Sequence, residues 1–290
     1  MTPLVFTLVT FGISIGAGVL GSLLGLGGGI IVIPALTLLL HIDIRFAIGA
    51  SIVSVIATSS GAASAYVRER MTNLRVAMFL EVATTTGALT GAFIAGKIHP
   101  AWLFVIFGII MGYSAIEMFR KRHEDHVHAV PADRLADRLR LHDHYFDQSI
   151  SKRVDYRTTH SLLGLFLMYI AGCVSGLLGI GSGALKVSAM DLAMRLPIKV
   201  STATSNFMIG VTAAASAGVY FARGDINPFI AAPVAAGVLV GATGGSFLLG
   251  RIRNKAIRVV FVIVLLVISG QMLWKGVHQL GHSPAAKVHA

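Results

Sequence analysis

The hydrophobic positions of this chain fall into long blocks that contain almost no charged residues. Residues 46–67, 101–119 and 257–274 are three of these blocks, and a helix of about 20 residues covers the roughly 30 Å hydrocarbon core of a bilayer. Only helices satisfy the backbone of segments this long within lipid. The pattern therefore predicts an all-α polytopic integral membrane protein.

The composition agrees with a membrane protein and argues against a soluble domain. Of the 290 residues, 55% are hydrophobic and 13% are charged, and the mean hydropathy is +0.77; a soluble domain carries about twice that charged fraction. A net charge of +11 is compatible with nucleic-acid binding, but membrane proteins collect Lys and Arg in their cytoplasmic loops. We therefore expect a lipid bilayer as partner and no nucleic acid.

The chain repeats itself at a distance of 154 residues. Residues 23–98 align with 177–252 without a gap, and 20 of the 76 positions are identical. Glycines and polar residues stay in register, which apolar composition alone does not produce, so we predict a duplication of helical halves. The matched pairs include Gly25/Gly179, Gly27/Gly181, Gly29/Gly183, Ser51/Ser205, Thr58/Thr212, Asn73/Asn227, Gly87/Gly241 and Gly91/Gly245.

Each half is predicted to contain five helical pieces, the second of them short. The expected domains are a first transmembrane repeat (1–119), a cytoplasmic polar linker (120–160), a second transmembrane repeat (161–275) and a polar tail (276–290). Within the linker, ADRLADRLRLHDHYFD (132–147) predicts an amphipathic helix on the membrane surface. The predicted helices cover 4–24, 30–40, 46–67, 76–96 and 101–119, then 161–180, 184–195, 200–222, 228–249 and 257–274.

The short pieces leave two topologies open. Eleven helical residues rise about 16 Å, half a membrane, so each short piece either forms a re-entrant hairpin with the helix before it or completes one broken crossing. The hairpin gives three full crossings per half and turns the second half upside down. It places 18 Lys and Arg residues on one side and five on the other, and the positive-inside rule favours this inverted repeat.

Two glycine-rich segments precede the short helices. LLGLGGG contains Gly27, Gly28 and Gly29, and LLGIGSG contains Gly181, Ser182 and Gly183. Glycine allows the chain to end a helix and reverse at mid-depth, and the helix that follows begins with unpaired N–H groups and a positive dipole end. Beside a polar cavity, these groups predict an anion site made of broken helices. Isolated glycines such as Gly87, Gly91, Gly96, Gly241 and Gly245 instead favour close helix packing.

Polar residues near the two helix starts extend the candidate substrate site. Ser51, Ser205 and Asn206 offer neutral donors, although Ser and Thr in membranes often bond to their own helix. Lys186 either neutralises an anion or snorkels to the nearer surface.

Two carboxylates are candidates for coupling substrate transport to the movement of a proton or another ion. Asp191 follows Lys186 at a distance that allows the two to pair, and Glu81 is a candidate proton carrier or a residue at the membrane interface. The histidines of the linker lack a compact metal-ligand spacing, so we expect no metal.

These residues resemble the sulfite exporter TauE/SafE family. The resemblance covers about residues 10–275 and is carried by the two glycine motifs, by PIKVSTATSNFMIGVTAAASAGVYFARGDI (197–226) and by HDHYFDQ. It implies duplicated helical halves, a multi-pass protein of the bacterial inner membrane, and transport of sulfite or small organosulfur anions. Ser182 departs from the triple glycine of the family, and Lys186 matches a lysine often found there.

The sequence thus predicts a secondary transporter of a small anion that works by alternating access. No phosphate-binding loop, zinc motif or nucleophile elbow is present, so we expect neither an enzyme nor a cofactor. We expect transport to be driven by a proton or ion gradient, or by the gradient of the substrate itself. A channel, a transporter of another small carboxylate or oxyanion, and a non-transport membrane component are the alternatives. The sequence makes no prediction of oligomeric state.

Overall fold

A computed structural model describes residues 2–24, 28–68, 72–120, 133–147, 152–249 and 254–281. The first half contains one short and four long helices. The short helix α2 continues without a break as a π-helical segment over Ala35–Leu39. The helices are α1 (Pro3–Leu24), α2 (Gly29–Pro34), α3 (Ile44–Arg68), α4 (Leu74–Lys97) and α5 (Pro100–Arg120).

The second half repeats this order after a small linker. Its short helix is likewise continued by a π-helical segment, Ala189–Ala193. The linker forms α6 (Arg134–Arg138), β1 (Asp143–Asp147) and β2 (Lys152–Tyr156), and the second half forms α7 (Ser161–Leu178), α8 (Gly183–Ser188), α9 (Ile198–Ala222), α10 (Pro228–Leu249) and α11 (Asn254–Gly281).

The structure confirms the all-helical membrane fold. When each short helix is taken together with its π-helical segment, every predicted helix is present with its ends within three residues of the prediction, except that α11 continues through Gly281. Pro3–Gly21, Leu74–Lys97 and Ser161–Leu178 are long and apolar enough to cross a membrane by themselves. Shorter apolar stretches lie in Gly29–Leu39, Ile44–Ser60, Pro100–Ile116 and Pro228–Gly244.

The first helix of each half packs against a helix of the other half. Helix α1 lies along α10 of the other half, and α7 lies along α4. A Cβ on Gly18 would overlap the carbonyl oxygen of Val238, and at the equivalent place a Cβ on Gly172 would overlap the carbonyl oxygen of Thr84. The predicted packing role is confirmed for Gly87, Gly91 and Gly241, because added Cβ atoms would overlap carbonyl oxygens of Tyr169, Cys173 and Ile15.

The central helices α3 and α9 cross in opposite directions. Gly49 approaches Asp225 beyond the end of α9, whereas Ser59 approaches Gly210 nearer the middle of that helix. Helices α4 and α9 run in parallel, since Asn73 bonds to Thr204 at their starts and Arg223 bonds to the carbonyl oxygen of Ala92 near their ends.

The second short helix returns to the side from which its partner started. The backbone N–H of Thr159, just before α7, donates to the carbonyl oxygen of Met194 just after the π-helical segment, at 3.2 Å. The Met194 side chain also lies against Gly164 of α7. These contacts favour a hairpin over a single broken crossing, while the opposite orientation of the two halves in a membrane stays a prediction.

The linker corrects one prediction. The helix expected over 132–147 ends at Arg138, and DHYFD (Asp143–Asp147) forms β1, paired antiparallel with β2. Arg140 adopts a positive φ of 50°, which interrupts the helix. The strand is favoured because Tyr145 and Tyr156 are buried against the cluster that contains Val76, Leu80 and Met194. Their chain neighbours His144 and Asp155, which pair across the two strands, are exposed.

Candidate functional site

The two glycine-rich segments meet in the folded protein although they are about 150 residues apart. A Cβ on Gly29, at the start of α2, would lie 3.2 Å from the carbonyl oxygen of Gly179, at the end of α7. The Ser51 hydroxyl of α3 donates to that same oxygen at 2.7 Å. Gly29 and Ser51 are both buried. Two interrupted helices from different halves therefore share one buried junction.

Left-handed backbone explains the glycines of the second segment. Gly179 and Gly181 have φ angles of 65° and 74°, which L-residues with a side chain rarely adopt. Ser182 also has a positive φ, 45°. The chain uses these three residues to leave α7 and to begin α8 in a new direction, as the sequence predicts.

The start of α2 lies at this junction, and the start of α8 follows the end of α7 after four residues. Gly28 precedes α2, and its carbonyl oxygen accepts from the N–H groups of Ile31 and Val32. The N–H of Gly29 belongs to the first turn of α2, whose N–H groups have no acceptor within the helix itself. At α8 the first intrahelical bond runs from the Lys186 N–H to the Ser182 carbonyl oxygen. Gly27 lies outside the described residues.

Two buried side chains near α8 lack protein partners for one polar atom each. Ser182 is 3% exposed and Asn206 is 5% exposed. The Ser182 Oγ and the Asn206 Nδ2 receive no hydrogen bond and make none among the described residues. Ser205 is partnered instead, because its hydroxyl donates to the carbonyl oxygen of Gly183 at 3.3 Å. A buried polar group without a partner is costly, so these two atoms are the natural donors for a ligand.

Lys186 points into the protein and does not snorkel. Its side chain is fully buried, and Nζ donates to Thr212 Oγ1 at 2.6 Å. The Thr212 hydroxyl lies 2.7 Å from Glu81 Oε1. One hydroxyl of α9 therefore connects a cation of α8 to a carboxylate of α4. Glu81 is only 8% exposed.

The structure neither confirms nor excludes the predicted pairing of Asp191 with Lys186. It lies partly buried in the π-helical segment after α8. The acidic group whose charge acts on Lys186 is Glu81. A role for Asp191 in coupling stays a prediction.

Thr212 is a site residue that the local sequence does not single out. Its hydroxyl was one of many on α9, and nothing in the local sequence distinguished it. The available signal was its identity with Thr58 across the duplication, together with a spacing that places it beside Lys186 once α8 folds back on α9.

The linker holds the starts of the helices that carry this site. The Asn73 amide donates to the carbonyl oxygen of Leu141 and to the Tyr156 hydroxyl at 3.0 and 2.8 Å. Asp133 accepts from backbone N–H groups of both α6 and α7. Burial raises the pKa of the Asp133 carboxyl. Hydrogen bonds donated to the carboxylate by Ser161, Leu135 and Ala136 together outweigh burial and hold the pKa below its usual value. Burial raises the pKa of the Tyr156 phenol.

Comparison with known proteins supplies a family context. A sequence profile described as sulfite exporter TauE/SafE matches residues 10–272. The probable membrane transporter protein YunE of Bacillus subtilis is 27% identical over 268 residues, which are 90% of this chain and 95% of that protein. A probable membrane transporter protein of Xylella fastidiosa is 24% identical over 271 residues, 92% of this chain and 95% of that protein. No solved structure matches the chain.

Proposed function

Because the chain belongs to the sulfite exporter TauE/SafE family of membrane transporters, we propose that it is a secondary transporter of a small anion, either sulfite or an organosulfur (sulfonate-type) anion. The membrane is the inner membrane, which the chain crosses several times. Transport, not catalysis, is the activity that the names of its relatives describe. The driving force is a gradient of ions or of the substrate.

The observation that carries this proposal is the junction of the two glycine-rich segments. Gly29 of one half lies against Gly179 of the other, and Ser51 spans the junction. A helix start with free N–H groups stabilises negative charge. If the substrate lies between two such helix starts, backbone N–H groups contribute to the affinity for an anion. These groups are neither deprotonated nor removed by mutation of a single side chain.

Buried donors support an anion as the substrate class. Ser182 and Asn206 each keep an unpartnered polar atom in the protein interior. Both can donate hydrogen bonds to an oxyanion, which has several acceptor oxygens. Lys186 contributes a positive charge from the first turn and a half of α8. Together, Gly27, Gly28, Gly29, Ser51, Gly181, Ser182, Gly183, Lys186, Ser205 and Asn206 are the proposed substrate-binding residues.

Alternating access follows from the exchange of helices between the halves. The opposed directions of α3 and α9 and the matching pairs Gly18 with Val238 and Gly172 with Thr84 support halves of opposite orientation. Rocking one half on the other moves the two glycine-rich segments against each other. Such a motion opens the junction first to one side of the membrane and then to the other.

The test is anion flux into proteoliposomes that contain the purified full-length protein. Sulfite, methanesulfonate and acetate are supplied separately, and protein-free liposomes give the background. We expect saturable flux of sulfite or methanesulfonate, accelerated by the same anion on the opposite side. Folded protein without anion-dependent flux contradicts the proposal, and flux that neither saturates nor shows this acceleration indicates a channel.

A further inference from the structure

We propose that Glu81 is the counter-ion of Lys186 in the empty transporter and that a transported anion replaces it, so that Glu81 takes up one proton for each monoanion carried. This inference rests on the proposed function. It adds the coupling ion and the residue that carries it. Four observations, each independent of the substrate's identity, support it.

The first observation is the separation of the two charges by a hydroxyl. Lys186 Nζ donates to Thr212 Oγ1 at 2.6 Å, and Glu81 Oε1 lies 2.7 Å on the other side of that oxygen. Both charged residues are buried. A buried cation requires a counter-charge, and here the two are close enough to compensate each other without a direct contact. An anion can therefore replace the carboxylate without first breaking a bidentate ion pair.

The second observation is that Thr212 has one hydrogen and two acceptors. Its hydroxyl lies 2.7 Å from Glu81 Oε1 and 2.8 Å from the carbonyl oxygen of Met208 in its own helix. Rotation about one side-chain bond moves the hydrogen from the carboxylate to that carbonyl. The connection between Glu81 and Lys186 can thus open and close with the backbone in place.

The third observation identifies the oxygen that receives the proton. Oε1 of Glu81 accepts hydrogen bonds from Thr85 and Thr212. Oε2 is buried and has no hydrogen-bond partner among the described residues. A proton on Oε2 leaves both bonds to Oε1 intact. Protonation therefore neutralises Glu81 without disturbing the packing of α4.

The fourth observation is that the other half of the protein manages without these charges. A shift of 154 residues places Val32 opposite Lys186 and Ala235 opposite Glu81, while Thr58 matches Thr212. Val32 is buried and Ala235 is half-buried. The repeated packing accommodates aliphatic residues at both charged positions. The fold therefore does not need the charge pair, which favours a functional role.

The surroundings of Glu81 leave Lys186 as the charged group that can control it. Thr212 faces Glu81 from α9, and Thr84 and Thr85 face it from its own helix. On α7, Tyr169 and Cys173 contact Thr90, farther along α4. On the linker side, Arg75 bonds to the Arg140 carbonyl oxygen, nearer the start of α4. Within the described parts of the chain, Lys186 is the charge that acts on Glu81.

The cycle balances in charge and protons. In the empty state, the Lys186 ammonium and the Glu81 carboxylate compensate each other. When a monoanion binds to Lys186, Glu81 Oε2 takes a proton from the water on the same side and becomes a neutral carboxylic acid. On the other side the anion leaves, Oε2 releases its proton, and the carboxylate compensates Lys186 again. One proton and one monoanion cross together, with no net charge.

The experiment compares two transport modes of the full-length protein in liposomes, with methanesulfonate as probe because its charge is independent of pH. Glu81→Gln mimics the protonated carboxyl permanently. We expect this variant to exchange internal for external methanesulfonate at a rate comparable to wild type, because exchange requires no proton release. Accumulation driven by a pH gradient falls to the level of protein-free liposomes. Asp225→Asn, which neutralises a carboxylate paired with Arg223 elsewhere, keeps both modes.

The outcomes separate this inference from the proposed function. Wild-type protein that exchanges no methanesulfonate contradicts organosulfonate transport itself. Glu81→Gln protein that still accumulates methanesulfonate along a pH gradient overturns the coupling role of Glu81. Loss of exchange in folded Glu81→Gln protein also overturns it, because the carboxylate is then needed for binding. A pH-sensitive dye inside the vesicles provides a second measurement, with one proton expected per anion in wild type.

Discussion

The hydroxyl of Ser51 donates a 2.7 Å hydrogen bond to the carbonyl oxygen of Gly179. A side chain of the first half thereby satisfies the backbone at the end of a helix of the second half. Interrupted helices leave such carbonyls without intrahelical partners, and in a membrane interior each must find one. The bond explains how two glycine-rich segments remain together in a buried place.

The first prediction concerns the space at this junction. Gly29→Ala adds a Cβ that would overlap Ser51 Oγ and approach Val55 Cγ2 at 2.9 Å. Overpacking of this kind costs about 1–3 kcal/mol, and it pushes the two glycine-rich segments apart. We expect a lower thermal unfolding midpoint in detergent and strongly reduced sulfite or methanesulfonate flux in liposomes.

Two further variants separate a local overlap from a general effect of alanine. Gly16→Ala places a Cβ on α1 with no atom within 4 Å, so stability stays the same or rises by up to about 1 kcal/mol. Adding Ser51→Ala to Gly29→Ala removes the overlapping oxygen but also its bond to the Gly179 carbonyl, so stability should stay below that of wild type. A Gly29→Ala protein with normal stability and flux contradicts the proposed junction.

The second prediction concerns the buried charges. Lys186→Met leaves the Glu81 carboxylate buried without its counter-ion, and breaking such a pair costs about 3–5 kcal/mol. In the double variant with Glu81→Gln neither charge remains, so we expect much of the stability to return. Transport of sulfite or methanesulfonate does not return, because the positive charge at the site is gone. Thermal unfolding and liposome flux are measured on the same preparations.

This double-mutant comparison has a clear contrary outcome. If the double variant is less stable than Lys186→Met alone, the two residues do not compensate each other and Thr212 does not connect a charge pair. If the double variant transports either anion at the wild-type rate, Lys186 is not part of the substrate site.

The sequence predicts the helices better than it predicts their partners. Apolar blocks and the 154-residue shift locate every long helix, because hydrophobic length and duplication are recorded locally. The contact between Glu81 and Thr212 is not recorded locally, since it depends on α4 packing beside α9 of the other half. For the same reason the sequence suggests Asp191 as a nearby group that can pair with Lys186 but does not reveal that Glu81 acts on Lys186 in the fold.

The linker shows a different reason for failure. A period close to that of a helix runs through ADRLADRLRL, whereas in the strand that follows His144 is exposed and its neighbour Tyr145 is buried. Burial of Tyr145 and Tyr156 against Leu80 and its neighbours decides for a strand, and this tertiary contact outweighs local helix propensity.

The third prediction follows from the position of Asp133. Its carboxylate is the N-cap of α6 and also accepts from the N–H of Ser161 in α7, and loss of an N-cap costs about 1 kcal/mol. The folded pKa lies below the usual value of 3.8. The unfolded protein therefore binds the proton of Asp133 more tightly than the folded protein does. The carboxylate's contribution to stability is present above the unfolded pKa of 3.8 and is lost as the pH falls through the lower folded pKa. Asp133→Ala should lower stability at pH 7.

The pH dependence distinguishes this cap from a general defect. We expect the difference in unfolding midpoint between wild type and Asp133→Ala to shrink as the pH is lowered from 7 to about 3. Asp155→Ala, in the same linker, removes a carboxylate that is 81% exposed and should change the stability by less than about 0.5 kcal/mol at either pH. A difference for Asp133→Ala that stays constant with pH contradicts a role of its charge.

The fourth prediction concerns the unpartnered amide of Asn206. Its Nδ2 makes no hydrogen bond in the described structure, so replacement by an apolar residue of similar size removes an unpaired buried group. Asn206→Leu should therefore unfold at the same or a higher temperature without anion, but lose the stabilisation that added sulfite or methanesulfonate gives wild type. Asn73→Leu is the matched control, because the Asn73 amide donates to Leu141 and Tyr156 and its loss should lower stability directly. If Asn206→Leu keeps the full anion-induced shift, the amide does not contact the substrate, and the site lies closer to the backbone of the two helix starts.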